Sequence, residues 1–270
     1  MTKLIYIGLP KTGSSSFTYL MIPYLNSVHE YDHLIACKHI WERKNSSIHS
    51  DDFRKYFEHR KKILNGCDVG TFYHQCIHDI PLIYNKSLFI AIIREPAAWI
   101  ASALIMILQI SKNRDQHTTK YNKFIEIYAR VISKHISFAG IKYQMQMPKY
   151  KDAIIRECLN YWCTHYIATL EFKQLHNDKT FIFNFDDYFK NPEIHNKIIL
   201  SKLNLLHLFP DKLNYPDQWL HKMPDYYYEL KKSILIDVQN HPLYIDARKI
   251  YLSEINEPKT WEMQKKHSKY

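Results

Sequence analysis

Lys11 stands in the run Leu4-Ile5-Tyr6-Ile7-Gly8-Leu9-Pro10-Lys11-Thr12-Gly13-Ser14-Ser15-Ser16-Phe17, and these residue types in this order suit the binding of a phosphate. A short β-branched and aromatic stretch stops at Gly8, a tight Pro-Lys-Thr-Gly turn follows, and three hydroxyls open an apolar-periodic segment. The pattern predicts a strand, an anion-binding loop and a helix N-terminus. N–H groups left over at a helix start, together with the positive end of the helix dipole, attract an anion. Gly13 permits close backbone approach to a ligand, and Lys11 brings a mobile point charge. The loop is not a Walker A motif. There the Lys follows the second Gly and is itself followed by Ser or Thr, whereas Lys11 precedes Gly13 and Ser14 takes the Lys position. ATP or GTP hydrolysis is therefore a poor reading.

A second segment carries a complementary group. Leu88-Phe89-Ile90-Ala91-Ile92-Ile93 is a continuous apolar run of the kind expected for a strand buried on both faces, and Arg94 ends it. Glu95-Pro96 turns the chain, and Pro96 suits the first position of the helix that continues through Trp99 and Leu104. In an open parallel sheet, ligands bind just beyond the carboxyl ends of the strands. Arg94 offers a planar fork of donors there, and Ser102, about two helical turns on, adds a neutral hydroxyl for the same anion.

Pro10-Lys-Thr-Gly-Ser-Ser-Ser16 resembles the 5′-phosphosulfate loop of sulfotransferases that use 3′-phosphoadenosine 5′-phosphosulfate (PAPS), and Arg94-Glu-Pro-x-x-x-x-x-Ser102 resembles their 3′-phosphate motif. A weaker echo lies in Asn184-Phe185-Asp186-Asp187-Tyr188 ahead of Pro192, after a helix that carries Trp162. The acidic residues of that stretch are read as structural. The resemblance runs in order over residues 3–205, with its specificity in the first two motifs. It implies a three-layer α/β/α sulfotransferase fold of P-loop-like type, with a central parallel sheet and a helical C-terminal part. It implies PAPS as sulfuryl donor with no metal, held by Lys11, Thr12, Gly13, Ser14, Ser15, Ser16, Arg94 and Ser102. Lys11 would stabilise charge on the bridging and sulfate oxygens, while the N–H groups of residues 12–16 and the serine hydroxyls hold the 5′-phosphate.

Sulfuryl transfer also needs a base within hydrogen-bond reach of the acceptor hydroxyl. In many members of the resembling family that base is a Glu after a Lys at the end of the second strand. The comparable place here is Cys37-Lys38-His39-Ile40-Trp41-Glu42. His39 stands where the Glu would, and a His is a base near neutral pH without any shift. Glu42 is the next choice, followed by Glu58, His59 and His74. Two metal-like patterns are set aside. His29-Glu30-Tyr31-Asp32-His33 matches a zinc-protease motif that requires a helix, but it follows Pro23 and Asn26-Ser27 in what reads as a loop entering the second strand. His74-x-Cys76-x-His78 has strand-like alternation but an unusual spacing for zinc.

Composition bounds the rest. The 270 residues are 46% hydrophobic, enough for one α/β domain with a substantial core, and the formal charge of +10 favours an anionic ligand. The basic residues are spread along the chain, so nucleic acid is not the expected partner. Five cysteines without a C-x-x-C pair, and no signal-like start, suggest a cytoplasmic protein. The apolar stretch Pro96–Ile110 is too short to span a bilayer. Strands are expected near residues 3–8, 33–40, 67–73, 88–94 and 179–185. Helices are expected from Ser14 to about Pro23, over Asp51–Leu64, near 97–110, 121–138 and 151–174, and through most of the remainder. Residues 111–150 carry no motif and are expected to shape the acceptor pocket. The rival readings are a kinase-like phosphotransferase, disfavoured by the position of Lys11 and by Arg94 with Ser102, and a non-catalytic binding protein on the same fold.

Overall fold

The structure, a computed structural model, describes residues 4–29, 35, 36, 38, 39, 50–64, 66–70, 72–113, 115, 119–209 and 225–255. Its centre is a five-stranded, wholly parallel sheet made of β1 (Leu4–Tyr6), β2 (Asn26–His29), β3 (Gly66–Val69), β4 (Leu88–Ile93) and β5 (Thr180–Asn184), in the order β2-β3-β1-β4-β5. From the central β1 the chain runs out to β2 and back to β3 on one side, then crosses to β4 and β5 on the other. The strand order therefore reverses at the β1–β4 boundary, where a crevice opens beyond the strand ends. The phosphate loop leaves β1 and Arg94 leaves β4, so the topology brings the two sequence motifs to the same crevice.

Strand alternation sorts the core into two layers. Leu4, Tyr6, Ile90 and Ile92 face α1 (Ser14–Met21), α8 (Phe185–Lys190) and α9 (Pro192–Lys202), packing on Phe17, Met21, Tyr188 and Leu200. Ile5, Ile7, Phe89 and Ala91 face the larger layer. That layer contains α4 (Pro96–Lys112), α5 (Thr119–Ile132), α7 (Pro148–Leu175), α10 (Asp225–Gln239) and α11 (Pro242–Ile255). Trp99 and Trp162, both fully buried in it, are each large enough to contribute about 3 kcal/mol through apolar burial. On the β3 side lie α2 (Ser50–Ile63), a 3₁₀ turn over Tyr73–Cys76 and the short α3 (Ile80–Ile83), while α6 (Ile141–Gln144) precedes α7.

Most sequence expectations hold to within a few residues, but the second strand does not. It is Asn26–His29, and residues 35, 36, 38 and 39 are helical instead of extended. The physical origin is composition: His33–Ile40 mixes Leu34 and Ile35 with Ala36, a strong helix former, and lacks the alternation that a half-buried strand requires. The edge position of β2 matters too, since its side chains are exposed or half-buried and leave little apolar signal to read. The His74–His78 stretch is also no strand. Tyr73–Cys76 forms the 3₁₀ turn, with His74 buried and its Nε2 2.6 Å from the Tyr161 hydroxyl. His29 lies at the end of a strand, and the remainder of its zinc-like pattern, residues 30–33, lies outside the described residues. Among the described residues no group of three or more His, Cys, Asp or Glu is placed to hold a metal ion, and no helix is long and apolar enough to cross a membrane.

Candidate active site

The phosphate loop is shaped by its own side chains. Lys11 and Gly13 both adopt left-handed backbone, with φ of 65° and 86°, which folds the chain tightly between β1 and the helix that follows. At Gly13 a Cβ would also lie 2.4 Å from the Phe189 ring, so glycine is required there twice over. Thr12 is buried, and its hydroxyl donates to the Leu9 carbonyl at 2.5 Å while lying 2.6 Å from the Tyr6 hydroxyl. The Thr12 N–H also closes on Leu9, at 3.4 Å. Thr12 thus spends its polar groups on the shape of the loop. The neighbouring helix braces the loop from behind: Trp99 Nε1 donates to the Pro10 carbonyl at 2.6 Å.

Beyond the loop, α1 starts at Ser14. Gly13 caps it without any side-chain hydrogen bond, and its first turn holds no acidic residue. The helix start therefore presents backbone donors and an uncancelled positive dipole end, which is what a phosphate requires. Ser14 is buried, Ser15 exposed and Ser16 half-buried. This arrangement suits an oxyanion, and Lys11, half-buried at the tip, is the nearest cation in sequence.

Arg94 stands across the crevice, half-buried, with its guanidinium carbon 4.4 Å from the centre of the Phe185 ring. One guanidinium N–H donates to the Lys11 carbonyl at 3.3 Å, so the two phosphate motifs touch directly. Burial lowers the Arg94 pKa, against the opposing pull of Asp186 and Glu95. Folding thus disfavours the charged form, as befits a cation held ready for an anion. Lys231 on α10 is displaced downward as well, by burial first and by the charge of Arg94 second. Ser102 lies on α4, two turns beyond the Arg94 turn, half-buried.

The Arg94-Glu95-Pro96 turn is pinned from three elements. Glu95 caps α4 by accepting from the Ala98 N–H at 2.8 Å. Trp162 Nε1 on α7 donates to the Arg94 carbonyl at 3.2 Å, and the Tyr244 hydroxyl on α11 donates to Glu95 at 2.7 Å. Burial, followed by that carboxylate, pushes the Tyr244 pKa up to about 12. Asn184 at the end of β5 caps α8, accepting from the N–H groups of Asp186 and Asp187 at 2.9 and 3.2 Å. That cap places Phe185 beneath Arg94.

The expected bases are scattered. His39 is half-buried with its ring stacked on Tyr56, 4.4 Å between centres, and Glu42 lies outside the described residues. Glu58 accepts from Arg54 on the surface of α2, where His59 is exposed, and His74 is buried against Tyr161. The histidine that does reach the loop is His29, at the carboxyl end of β2. Its Nε2 lies 3.1 Å from the Ser14 hydroxyl and 3.3 Å from that of Ser15. Sequence reasoning missed it because its neighbours formed a zinc-like pattern and the strand boundary was placed too late. Phe185, Lys231 and Tyr244 were also missed, since nothing in a single chain marks contacts made across such separations.

A solved structure, that of a sulfotransferase from Alicyclobacillus acidocaldarius, is similar at 15% identity and a TM-score of 0.47, over 88% of this chain and 92% of that one. No curated protein matches the chain. The family model of the sulfotransferase domain matches residues 3–180. That span contains the phosphate loop, the end of β2 and the Arg94 turn, and the chain belongs to the sulfotransferase family.

Proposed function

We propose that the protein transfers a sulfuryl group from PAPS to a hydroxyl or amine of a carbohydrate, lipid or small metabolite. The observation that carries this reading is the meeting of two anion-binding devices in one crevice. The uncapped start of α1 supplies donors on one side, and Arg94 reaches the Lys11 carbonyl from the other. A donor with phosphates at both ends of its ribose matches that pair, and when bound it supplies the activated sulfuryl group.

The chain's own residues then position and neutralise. The first turn of α1 holds the 5′-phosphate with backbone N–H groups and the Ser14, Ser15 and Ser16 hydroxyls. Arg94 and Ser102 hold the 3′-phosphate, and Phe185 supports the guanidinium plane from below. Lys11, at the tip of the loop, offsets the negative charge that grows on the leaving oxygen and the sulfuryl oxygens. The acceptor proton passes to a base from the segment after β2, for which His39 and Glu42 are the candidates.

The reading is tested by calorimetric binding of 3′,5′-adenosine bisphosphate against 5′-AMP and Mg·ATP. Micromolar or tighter binding that requires the 3′-phosphate is expected; preference for Mg·ATP, or indifference to the 3′-phosphate, sinks it. A companion expectation concerns Lys11→Ala. Because Lys11 acts mainly on charge that develops during transfer, this variant retains the bisphosphate affinity to within about tenfold. It loses roughly 10²–10³-fold in release of the bisphosphate from PAPS, the scale seen when a preorganised donor is removed. Equal losses in affinity and turnover would assign Lys11 to ground-state binding alone.

A further inference from the structure

We propose that His29 is a further side chain of the 5′-phosphate cradle, binding the donor directly from the end of β2 alongside Ser14 and Ser15. The inference rests on the PAPS reading above and adds to it a residue that neither loop motif contains.

The fold explains why an edge strand reaches the site. After the phosphate loop, α1 crosses over β3 and delivers the chain to β2, so its first turn overlies the carboxyl ends of both strands. His29 is the last residue of β2, paired in register with Val69 of β3. Its ring nitrogen sits nearly equidistant from two hydroxyls on successive residues of the first helical turn, 3.1 Å from Ser14 and 3.3 Å from Ser15. An atom so placed lies over the gap between the two hydroxyls. An anion oxygen held by both serines and by the helix N–H groups therefore comes within hydrogen-bond reach of Nε2. Ser15 is exposed and His29 half-buried, so neither side chain is sealed in the core.

Imidazole suits the position chemically. With the proton on Nε2 it donates to a phosphate oxygen, or to a serine oxygen whose own proton then turns to the phosphate. Either arrangement adds a donor aimed at the 5′-phosphate. Such a contact has no influence on the 3′-phosphate across the crevice, and this separation makes the proposal testable without knowing the acceptor.

The experiment measures binding of 3′,5′-adenosine bisphosphate and of 3′-AMP, which lacks the 5′-phosphate, to the wild type and to His29→Ala and His29→Gln. A hydrogen bond to a charged group corresponds to about tenfold or more in affinity. His29→Ala is therefore expected to bind the bisphosphate about tenfold or more weakly, yet to bind 3′-AMP within about twofold of wild type. His29→Gln, which keeps a side-chain N–H donor, should recover most of the loss. Retained 3′-AMP binding also certifies that the variant is folded. Unchanged bisphosphate affinity in His29→Ala, or equal weakening of both ligands, overturns the assignment. If the wild type itself ignores the 3′-phosphate, the PAPS reading fails first, and that result is distinct from a failure of His29.

Discussion

Arg94→Ala is expected to weaken binding of 3′,5′-adenosine bisphosphate by roughly 100-fold or more, while 5′-AMP binds within about threefold of wild type. Removing one partner of a desolvated, hydrogen-bonded charge pair costs on the order of 2–5 kcal/mol, and every tenfold in affinity corresponds to about 1.4 kcal/mol. The guanidinium is already desolvated before any ligand arrives, with Phe185 beneath it and a pKa lowered by burial. The sign follows from that shift. A base whose folded pKa lies below its unfolded value makes folding less favourable while it is charged, which offsets the packing on Phe185 and the bond to the Lys11 carbonyl that Arg94→Ala also removes, so the melting temperature of the free protein should change little. Arg94→Lys keeps the charge but loses the planar fork and its stacking on Phe185, and should fall between wild type and Ala. Calorimetry and thermal melting on the same preparations decide the matter. A loss shared equally by 5′-AMP would mean that Arg94 merely shapes the loop through its bond to the Lys11 carbonyl.

The largest stability effect is expected away from the ligand, at Asp68. This carboxylate lies on β3, fully buried, and receives two parallel N–H bonds from Arg60 of α2 at 2.7 and 2.8 Å. The Tyr73 hydroxyl donates to it as well and accepts from Arg60 at 2.9 Å, and Tyr84 stands 3.4 Å from Tyr73. Asp68, Arg60 and Tyr73 thereby tie α2 and the 3₁₀ turn to the sheet. Burial raises the Tyr73 pKa well above the usual phenol value, and the negative charge of Asp68 adds to it, so its proton stays in place to donate. Asp68→Ala leaves Arg60 buried without its counter-charge. Breaking a buried pair in this way costs about 3–5 kcal/mol, which for a chain of this size lowers the melting temperature by roughly 10 °C. Asp68→Asn, which retains acceptors and volume, should cost less. A change of only a degree or two in Asp68→Ala would show that the surrounding structure relaxes and lets water reach Arg60.

The fates of individual residues show how far the chain could be read. The β4 run needed no tertiary information, because a continuous apolar stretch ending in Arg94-Glu95-Pro96 has few other solutions than a buried strand and a helix start. The phosphate loop was equally legible, since Gly13 and the serines after it record a local backbone demand. Thr12 was legible only as part of a motif. Its hydroxyl turns inward to Leu9 and Tyr6, a direction set by the packing of β1 and not by the loop sequence. His29 was hidden because an edge strand buries too little apolar surface to mark its own boundaries.

The sequence by itself determined the loop after β1, the Arg94 turn, the parallel α/β class and the family, because each is encoded in short windows where backbone conformation and residue type are tightly coupled. Only the tertiary structure decided which side chains complete the site. Phe185 under Arg94, Tyr244 on Glu95 and His29 on the serines are all contacts between segments far apart in the chain or on separate elements. Such contacts follow from strand order and helix packing, which distribute their energetic cost over the whole core and leave no local mark on the residues that meet.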